Sequence, residues 1–318
     1  MKRFCQYCFF ITLLLVFNGK TYATQNTLGC AINSEYQSFG SLPSFNDNKK
    51  PLIGYFCEFL PKRSTFLGNW FPTLPQVSFS KSEQLLINDN SSEADDYNQS
   101  WYIDLAIKRL GDSQLVMHAK HSKWQHTLSA NEATSFYSRS ASTAQDVITI
   151  QKDQQARLSY TLKAIGASLV FPYRLHQPLT RLTLQRLIIT QAIQANIEGF
   201  PDNSLYNTET DLIEIGIDSH SYNKGLNINW GIALAAGSID IDSAAISQND
   251  DDLNEILSLY GGLELHYQYK INQRWFVFSR WQSKVRYSQQ GKPDKLKYEL
   301  GEVYKVTHAL KLGLGLRF

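Results

Sequence analysis

His308-Ala309-Leu310-Lys311-Leu312-Gly313-Leu314-Gly315-Leu316-Arg317-Phe318, the last eleven residues of a 318-residue chain, alternate strictly with a period of two. Leu310, Leu312, Leu314, Leu316 and Phe318 fall on one side, while Lys311, Gly313, Gly315 and Arg317 fall on the other. Successive side chains of a β-strand point to opposite faces, so the segment predicts a strand with one apolar and one polar or small face. Such a strand suits a wall between lipid and a wet lumen, and a tilted strand crosses a bilayer in about 9–11 residues. An edge strand of a soluble sandwich would alternate in the same way. The rest of the chain favours the wall.

The other end reads as an export signal. Met1-Lys2-Arg3 is a short basic start, Phe9 begins an apolar run that ends at Phe17, and Thr21-Tyr22-Ala23 is a small-x-small site. Residues 1–23 are therefore predicted to be a secretory signal peptide for Sec-type export, too short for a membrane helix. Neither Cys8 nor Cys30 sits behind small residues after that run, so no lipid anchor is expected. Removing the signal takes away Cys5 and Cys8 and leaves Cys30 and Cys57. One remaining pair in an exported chain predicts a disulfide, worth about 3–4 kcal/mol on the loop-entropy account. Nothing near either cysteine has the spacing of a metal site.

Composition narrows the class. No stretch has the roughly 18 consecutive apolar residues of a membrane helix. A β-wall conceals its lipid face from averages because every second residue is polar. Aromatics make up 13% of the chain, with 17 Tyr, 17 Phe and 6 Trp, which suits girdles at two membrane interfaces. Thirty-one basic against twenty-nine acidic residues leave no strong field, and nothing points to nucleic acid.

Residues 24–100 differ in character from the C-terminal two thirds of the chain. They hold both cysteines, Pro43, Pro51, Pro61, Pro72 and Pro75, and a polar acidic tract over 88–96. They could form a periplasmic extension, a plug or the first strands; an irregular disulfide-tied segment with at least one strand is the expectation. From Trp101 to Phe318 the period of two dominates. Trp101, Ile103, Leu105 and Ile107 alternate with Tyr102, Asp104, Ala106 and Lys108; Leu158, Tyr160 and Leu162 alternate with Arg157, Ser159, Thr161 and Lys163. Residues 125–145 read as a long loop. Arg186 falls on the apolar face of its run, which predicts a bulge there.

Further on, Leu226, Ile228, Trp230, Ile232 and Leu234 share a face, as do Leu257, Leu259, Leu263, Leu265, Tyr267 and Tyr269. Asn272-Gln273-Arg274 turns the chain into the run that starts at Trp275, and Leu296, Tyr298 and Leu300 form another short alternation. The prediction is an all-β protein, an antiparallel transmembrane β-barrel of about twelve strands with ten as the alternative, because such barrels have even counts. One conflict remains. With Phe318 on the periplasmic side, this strand order puts 200–210 and 242–255 on that side too, where turns should be short.

If the apolar faces meet lipid, the other faces gather charge inside. The lumen candidates are Arg157, Lys163, Glu264, His266, Lys270, Arg280, Lys284, Arg286, Glu299, Lys311 and Arg317, with Asp104, Arg181 and Glu214 on equivalent faces. A salt-bridged filling and a small pore both fit this set. An enzyme acting on lipid or peptide at the outer rim is the rival. Yet His121-Ser122 and Ser219-His220-Ser221 are the close Ser/His neighbours, and adjacent strand residues point apart. Asp250-Asp251-Asp252 lacks the glycine and closing Glu of a calcium loop. No catalytic residue, cofactor or metal site is therefore assigned, and a non-enzymatic structural or small-solute role is expected.

The closing segment Leu312, Leu314, Leu316 and Phe318 resembles the terminal strand of Gram-negative outer-membrane β-barrels. That resemblance implies an assembly signal read by the barrel-assembly machinery, with outer-membrane lipid and lipopolysaccharide as surroundings. The run from Tyr267 to Val277, Y-Q-Y-K-I-N-Q-R-W-F-V, together with Leu312 to Phe318 resembles solitary autotransporter-like barrels. Residues before Trp101 are too few for a large passenger, which departs from that pattern.

Overall fold

A sheet of alternating strands leaves two unpaired edges unless its first and last strands meet. The computed structural model describes residues 27–40, 45–47, 51–60, 76–84, 96–110, 113–130, 133–137, 147–171, 179–195, 204–223, 225–243, 255–290 and 302–318, and no helix occurs among them. The strands are β1 (Thr27–Gly40), β2 (Phe45–Asp47), β3 (Leu52–Leu60), β4 (Gln76–Gln84), β5 (Tyr97–Leu110), β6 (Ser113–Ala130), β7 (Thr134–Tyr137) and β8 (Val147–Ile150). They continue with β9 (Gln155–Val170), β10 (Leu179–Ala195), β11 (Ser204–Asn223), β12 (Leu226–Ser243), β13 (Glu255–Lys270), β14 (Trp275–Gln290) and β15 (Glu302–Arg317).

The order β6-β5-β4-β3-β1-β15-β14-β13-β12-β11-β10-β9 closes through a β6–β9 pairing, giving a twelve-stranded antiparallel barrel. Closure satisfies every wall strand on both sides, which a bilayer demands of backbone it surrounds. The short β2 pairs with the far end of β6, and β7 pairs with β8. At the seam, β1 meets β15 over its whole length, from Thr27 opposite Arg317 to Gly40 opposite Tyr304. The expected turn at 271–274 forms: Asn272 Oδ1 accepts from the backbone N–H groups of Arg274 and Trp275, each at 2.9 Å.

Outside, the wall is apolar. Ile32, Ile165, Leu184, Ile215, Leu234, Leu259, Leu312 and Leu314 are exposed, with Ile215 at 65% and Ile165 at 60%. A closed antiparallel barrel with an apolar outer belt is the architecture of outer-membrane barrels. Trp275, Tyr269 and Phe318 are exposed near one end of the belt.

Several expectations are corrected. Of the alternatives for residues 24–100, the described residues favour the first strands over an irregular segment: β1, β3, β4 and the start of β5 are barrel strands. Their inner faces are so polar (Asn33, Glu35, Gln37, Ser80, Ser82) and their connections so proline-rich that the strand period is diluted. The expected Cys30–Cys57 disulfide, by contrast, forms: the two are direct cross-strand partners on the outer face of β1 and β3. β6 reaches Ala130, so much of the expected loop is strand. Arg186 keeps regular register with Ile165 and Ile213, and β10 shifts register only at Ile193/Gln194. An outer-face ion pair from Arg186 to Asp211 accommodates the charge without a bulge.

The sidedness conflict also disappears. β14 and β15 pair directly as a hairpin, so no wall strand lies between them and Leu296, Tyr298 and Leu300, outside the described residues, add none. One fewer strand reverses parity. Residues 196–203 and 244–254 now connect strands at the end opposite Phe318. So do 41–51, 131–146 and 291–301, whereas 111–112, 224–225 and 271–274 lie at the Phe318 end. Short turns on one side and longer connections on the other is the usual asymmetry, broken here by residues 61–75 and 171–178. The expected signal peptide over residues 1–23 lies outside the described residues.

Candidate functional site: a filled lumen and its rim

The inward faces of β1, β3, β14 and β15 build the end of the lumen nearer Phe318. Phe56, Phe276, Phe278 and Ala31 form a buried cluster. Gly315 makes room for it: a Cβ there would lie 2.0 Å from Phe276 Cζ. Cations roof the rings, with Lys311 Nζ 3.9 Å from the Phe56 centroid and Arg317 Cζ 5.0 Å from that of Phe276. Arg280 Nη2 donates to both carboxylate oxygens of Glu58, at 2.6 and 2.9 Å, and Arg280 Nε lies 3.6 Å from Glu264. Glu264 also accepts from Asn229 and Gln282. Both members of the Arg280–Glu58 pair are buried (11% and 8% exposed), so each needs the other's charge.

A second network ties β5, β6, β9 and β10 at the same end. Arg181 donates to Asp104 at 2.7 Å and to Ser168 at 2.9 Å; Gln185 Oε1 lies 2.9 Å from His118 Nε2. Higher in the lumen, Arg286 donates to Glu214 at 2.5 Å and to Ser258 at 3.1 Å, and Gln185 donates to the other Glu214 oxygen. On the opposite wall Glu35 accepts from Asn98 and Gln37, both at 2.6 Å, and Asn33 donates to Ser82. Several of these bonds join strands that are not neighbours in the wall, so they cross the lumen.

Away from Phe318 the interior turns apolar. Trp124, Leu128, Leu158, Tyr160, Leu162, Leu187, Ile189, Ile193 and Leu212 form one buried cluster on β6, β9, β10 and β11. Trp124 stacks on Tyr160 with ring centroids 4.9 Å apart. Lys305 projects from β15, far around the wall, and its Nζ lies 4.4 Å from the Trp124 ring and 4.3 Å from the Tyr160 ring. One side chain thus bridges the lumen and docks its cation on an aromatic pair.

At the rim away from Phe318, Asp96 and His126 meet. His126 Nδ1 lies 3.0 Å from Asp96 Oδ2, and Asp96 Oδ1 accepts from Thr127 N at 2.6 Å and Thr127 Oγ1 at 2.8 Å. Both are buried, Asp96 to 1% exposure. A carboxylate that orients an imidazole is part of a general-base arrangement, and it is equally a clamp between the ends of β5 and β6.

Arg280, Lys284, Arg286, Glu264, His266, Lys311 and Arg317 stand on inward faces, and His266 packs edge-on to Phe278 with centroids 5.7 Å apart. Lys270 is exposed at the end of β13. Arg157 and Lys163 are placed otherwise. Their neighbours Ala156, Leu158, Leu162 and Ala164 are buried, so both basic residues lie on the outer face. The expected orientation of β9 is inverted because this part of the lumen is itself apolar. Glu299 lies outside the described residues. Among residues not singled out from sequence are Glu35, Glu58, Asp96, His118, His126 and Lys305. Glu58 alternates with Cys57 and Phe59, and both it and Glu35 become readable once the early segment is taken as wall; the Asp96–His126 contact has no local sequence signal.

Among the described residues no group of three His, Cys, Asp or Glu side chains could hold a metal. No family model and no curated protein sequence matches the chain. Among solved structures it is similar to the translocator domain of autotransporter NalP from Neisseria meningitidis, at 11% identity and TM-score 0.43 over 100% of this chain and 95% of that one. It is also similar to the outer membrane protease OmpT from Escherichia coli, at 8% identity and TM-score 0.33 over 95% and 100%. A FadL homologue of Pseudomonas aeruginosa matches at 7% identity and TM-score 0.40 over 92% and 90%. At such values the reading of this chain rests on its own pairings and side chains.

Proposed function

We propose that the chain is a non-enzymatic integral protein of a Gram-negative outer membrane, delivered by Sec-type export, whose filled barrel serves the envelope structurally. The crossing of the lumen by Lys305 onto Trp124 and Tyr160 supports this reading above all. A conducting barrel needs a continuous aqueous path lined by polar groups. Here one level is lined by apolar side chains and others are crossed by paired charges, which suits a wall braced from within. The test is purified protein in planar bilayers. No stepwise conductance is expected; reproducible steps would instead establish a small-solute pore.

A second reading, an enzyme at the outer rim, draws on the Asp96–His126 contact. The rival requires a nucleophile or activated water at the imidazole and access for lipid or peptide. Both side chains are buried, which favours the clamp. Incubating the folded protein with lipid A, phospholipid and peptide substrates decides between them. Hydrolysis by the wild-type chain that is lost in His126→Gln, with the barrel retained, would carry the enzyme reading.

A further inference from the structure

Cations reach the outer surface at the upper limit of the apolar belt on several strands, and some are neutralised there. Lys81 lies 2.6 Å from Glu83, and Arg186 lies 2.5 Å from Asp211. His121, Lys123 and Lys163 differ. His121 is directly opposite Lys163 across the β6–β9 pair, and Lys123 is next along on the same face. Lys123 and Lys163 are thus diagonal neighbours across the pair, within reach of long side chains, and their like charges repel, with the His121 imidazole beside them. Among the described residues none of the three has an acidic partner. The cluster is therefore an outward cationic site whose repulsion an external anion would relieve.

Its surroundings specify the kind of anion. Trp101 stacks on His121 with centroids 5.8 Å apart, and Lys123 Nζ lies 6.0 Å from the Tyr97 ring. Trp and Tyr at this height mark a membrane interface. Directly below, Met117, Ile103 and Ile165 are exposed on the same outer face. Above, the outward positions of β9 are Thr161 and Ser159. Apolar surface beneath and unpaired cations on top match an amphiphile whose acyl chains run down the wall and whose phosphate sits at the border. A soluble anion would leave the apolar part unused. The site lies toward the end away from Phe318, the side with the longer connections, which is the outer leaflet.

We infer that His121, Lys123 and Lys163 bind the phosphate groups of lipid A, the phosphorylated glycolipid of that leaflet. The inference rests on the outer-membrane reading above. The two lysines serve as point charges to phosphate oxygens and the His121 imidazole offers a ring N–H donor, with the Trp101 ring stacked on it holding it in place.

The experiment measures lipid bound to detergent-folded protein by native mass spectrometry, with heat-modifiable gel mobility recorded on every sample. The probes are lipid A, its dephosphorylated form and phosphatidylglycerol. The variants are His121→Gln/Lys123→Gln/Lys163→Gln and, as control, Lys81→Gln. The triple variant is expected to lose affinity for lipid A by about tenfold or more, a loss of roughly 1.4 kcal/mol. Lys81→Gln should stay within about twofold, since an exposed ion pair contributes little. Dephosphorylated lipid A should bind the wild type as weakly as lipid A binds the triple variant. Wild-type affinity in the triple variant, with a heat-modifiable barrel, overturns the site alone. Phosphatidylglycerol binding as tightly as lipid A also overturns it, because any lipid phosphate would then suffice. No heat-modifiable species in the wild type would overturn the outer-membrane reading itself, and this site with it.

Discussion

Single residues in the lumen are set by a competition between charge burial and pairing. Arg280 and Glu58 are both buried and bonded to each other, so removing one leaves the other uncompensated. Glu58→Ala is expected to destabilise the folded barrel by about 3–5 kcal/mol, whereas replacing both partners with apolar residues should cost much less. Urea unfolding in lipid vesicles, followed by tryptophan fluorescence, checks the order; equal losses for the single and double variants would mean that the pairing itself contributes nothing. Gly315 works by space: a side chain at that position must displace the Phe276 ring. Gly315→Val should therefore lower the heat-modifiable fraction, and a paired Phe276→Leu substitution should partly restore it. Charges on the terminal strands are legible as inward residues because their strands alternate without interruption. Arg157 and Lys163 are not, because on β9 the lumen side is as apolar as the lipid side, and period alone does not say which face is which.

At the scale of strands, hydrophobic alternation locates most of β5, β9, β10 and β12 to β14 and the end of β15, while β11, whose first residues fall in the expected 200–210 connection, is not read as a run; the strictest alternation, at the end of the chain, is the most informative. β1, β3 and β4 escape recognition as wall because polar inner faces and prolines in the connections blur the period. A short alternation at 296–300 mimics a strand and reverses the parity of the barrel; pairing of β14 directly with β15 corrects it. The final strand also closes the sheet, since β15 holds both β14 and β1. Phe318 lies on the outer surface beside Phe59, with ring centroids 6.5 Å apart, at that seam. Its deletion is predicted to reduce the folded amount in the outer membrane more than Lys311→Gln does, measured by heat-modifiable mobility of membrane fractions. The β1–β3 pair carries its own brace, because Cys30 and Cys57 are directly opposed. A Cys30→Ser/Cys57→Ser variant should still close the barrel through the backbone ladder but unfold at lower urea. Failure to fold at all would mean that the bridge is needed to set the register of β1.

For the whole molecule, the lumen is crossed at more than one height, and that decides what any single change can do. Lys305 is paired with Arg286 across β14–β15, and Lys311 with Arg280, so the two levels lie six residues apart on β15, roughly 20 Å along the strand. The upper level is crossed by the Lys305 ammonium on Trp124 and Tyr160, with the apolar cluster around it. The lower is crossed by Arg280 on Glu58, with the phenylalanines beside it. None of this is legible in the sequence, because contacts across a barrel join strands on opposite sides of the wall and depend on a register that local period leaves open. On the filled-barrel reading proposed above, the two levels act like two gates in one passage: opening either leaves the other shut. Lys305→Ala should therefore remain silent in planar bilayers, and so should Arg280→Ala if it folds. Combining the two, in a background where Glu58→Gln removes the orphaned charge, should give the first measurable conductance. Stepwise currents from Lys305→Ala alone would show that the lower level is already open to ions, and the chain would then be a pore gated by one lysine.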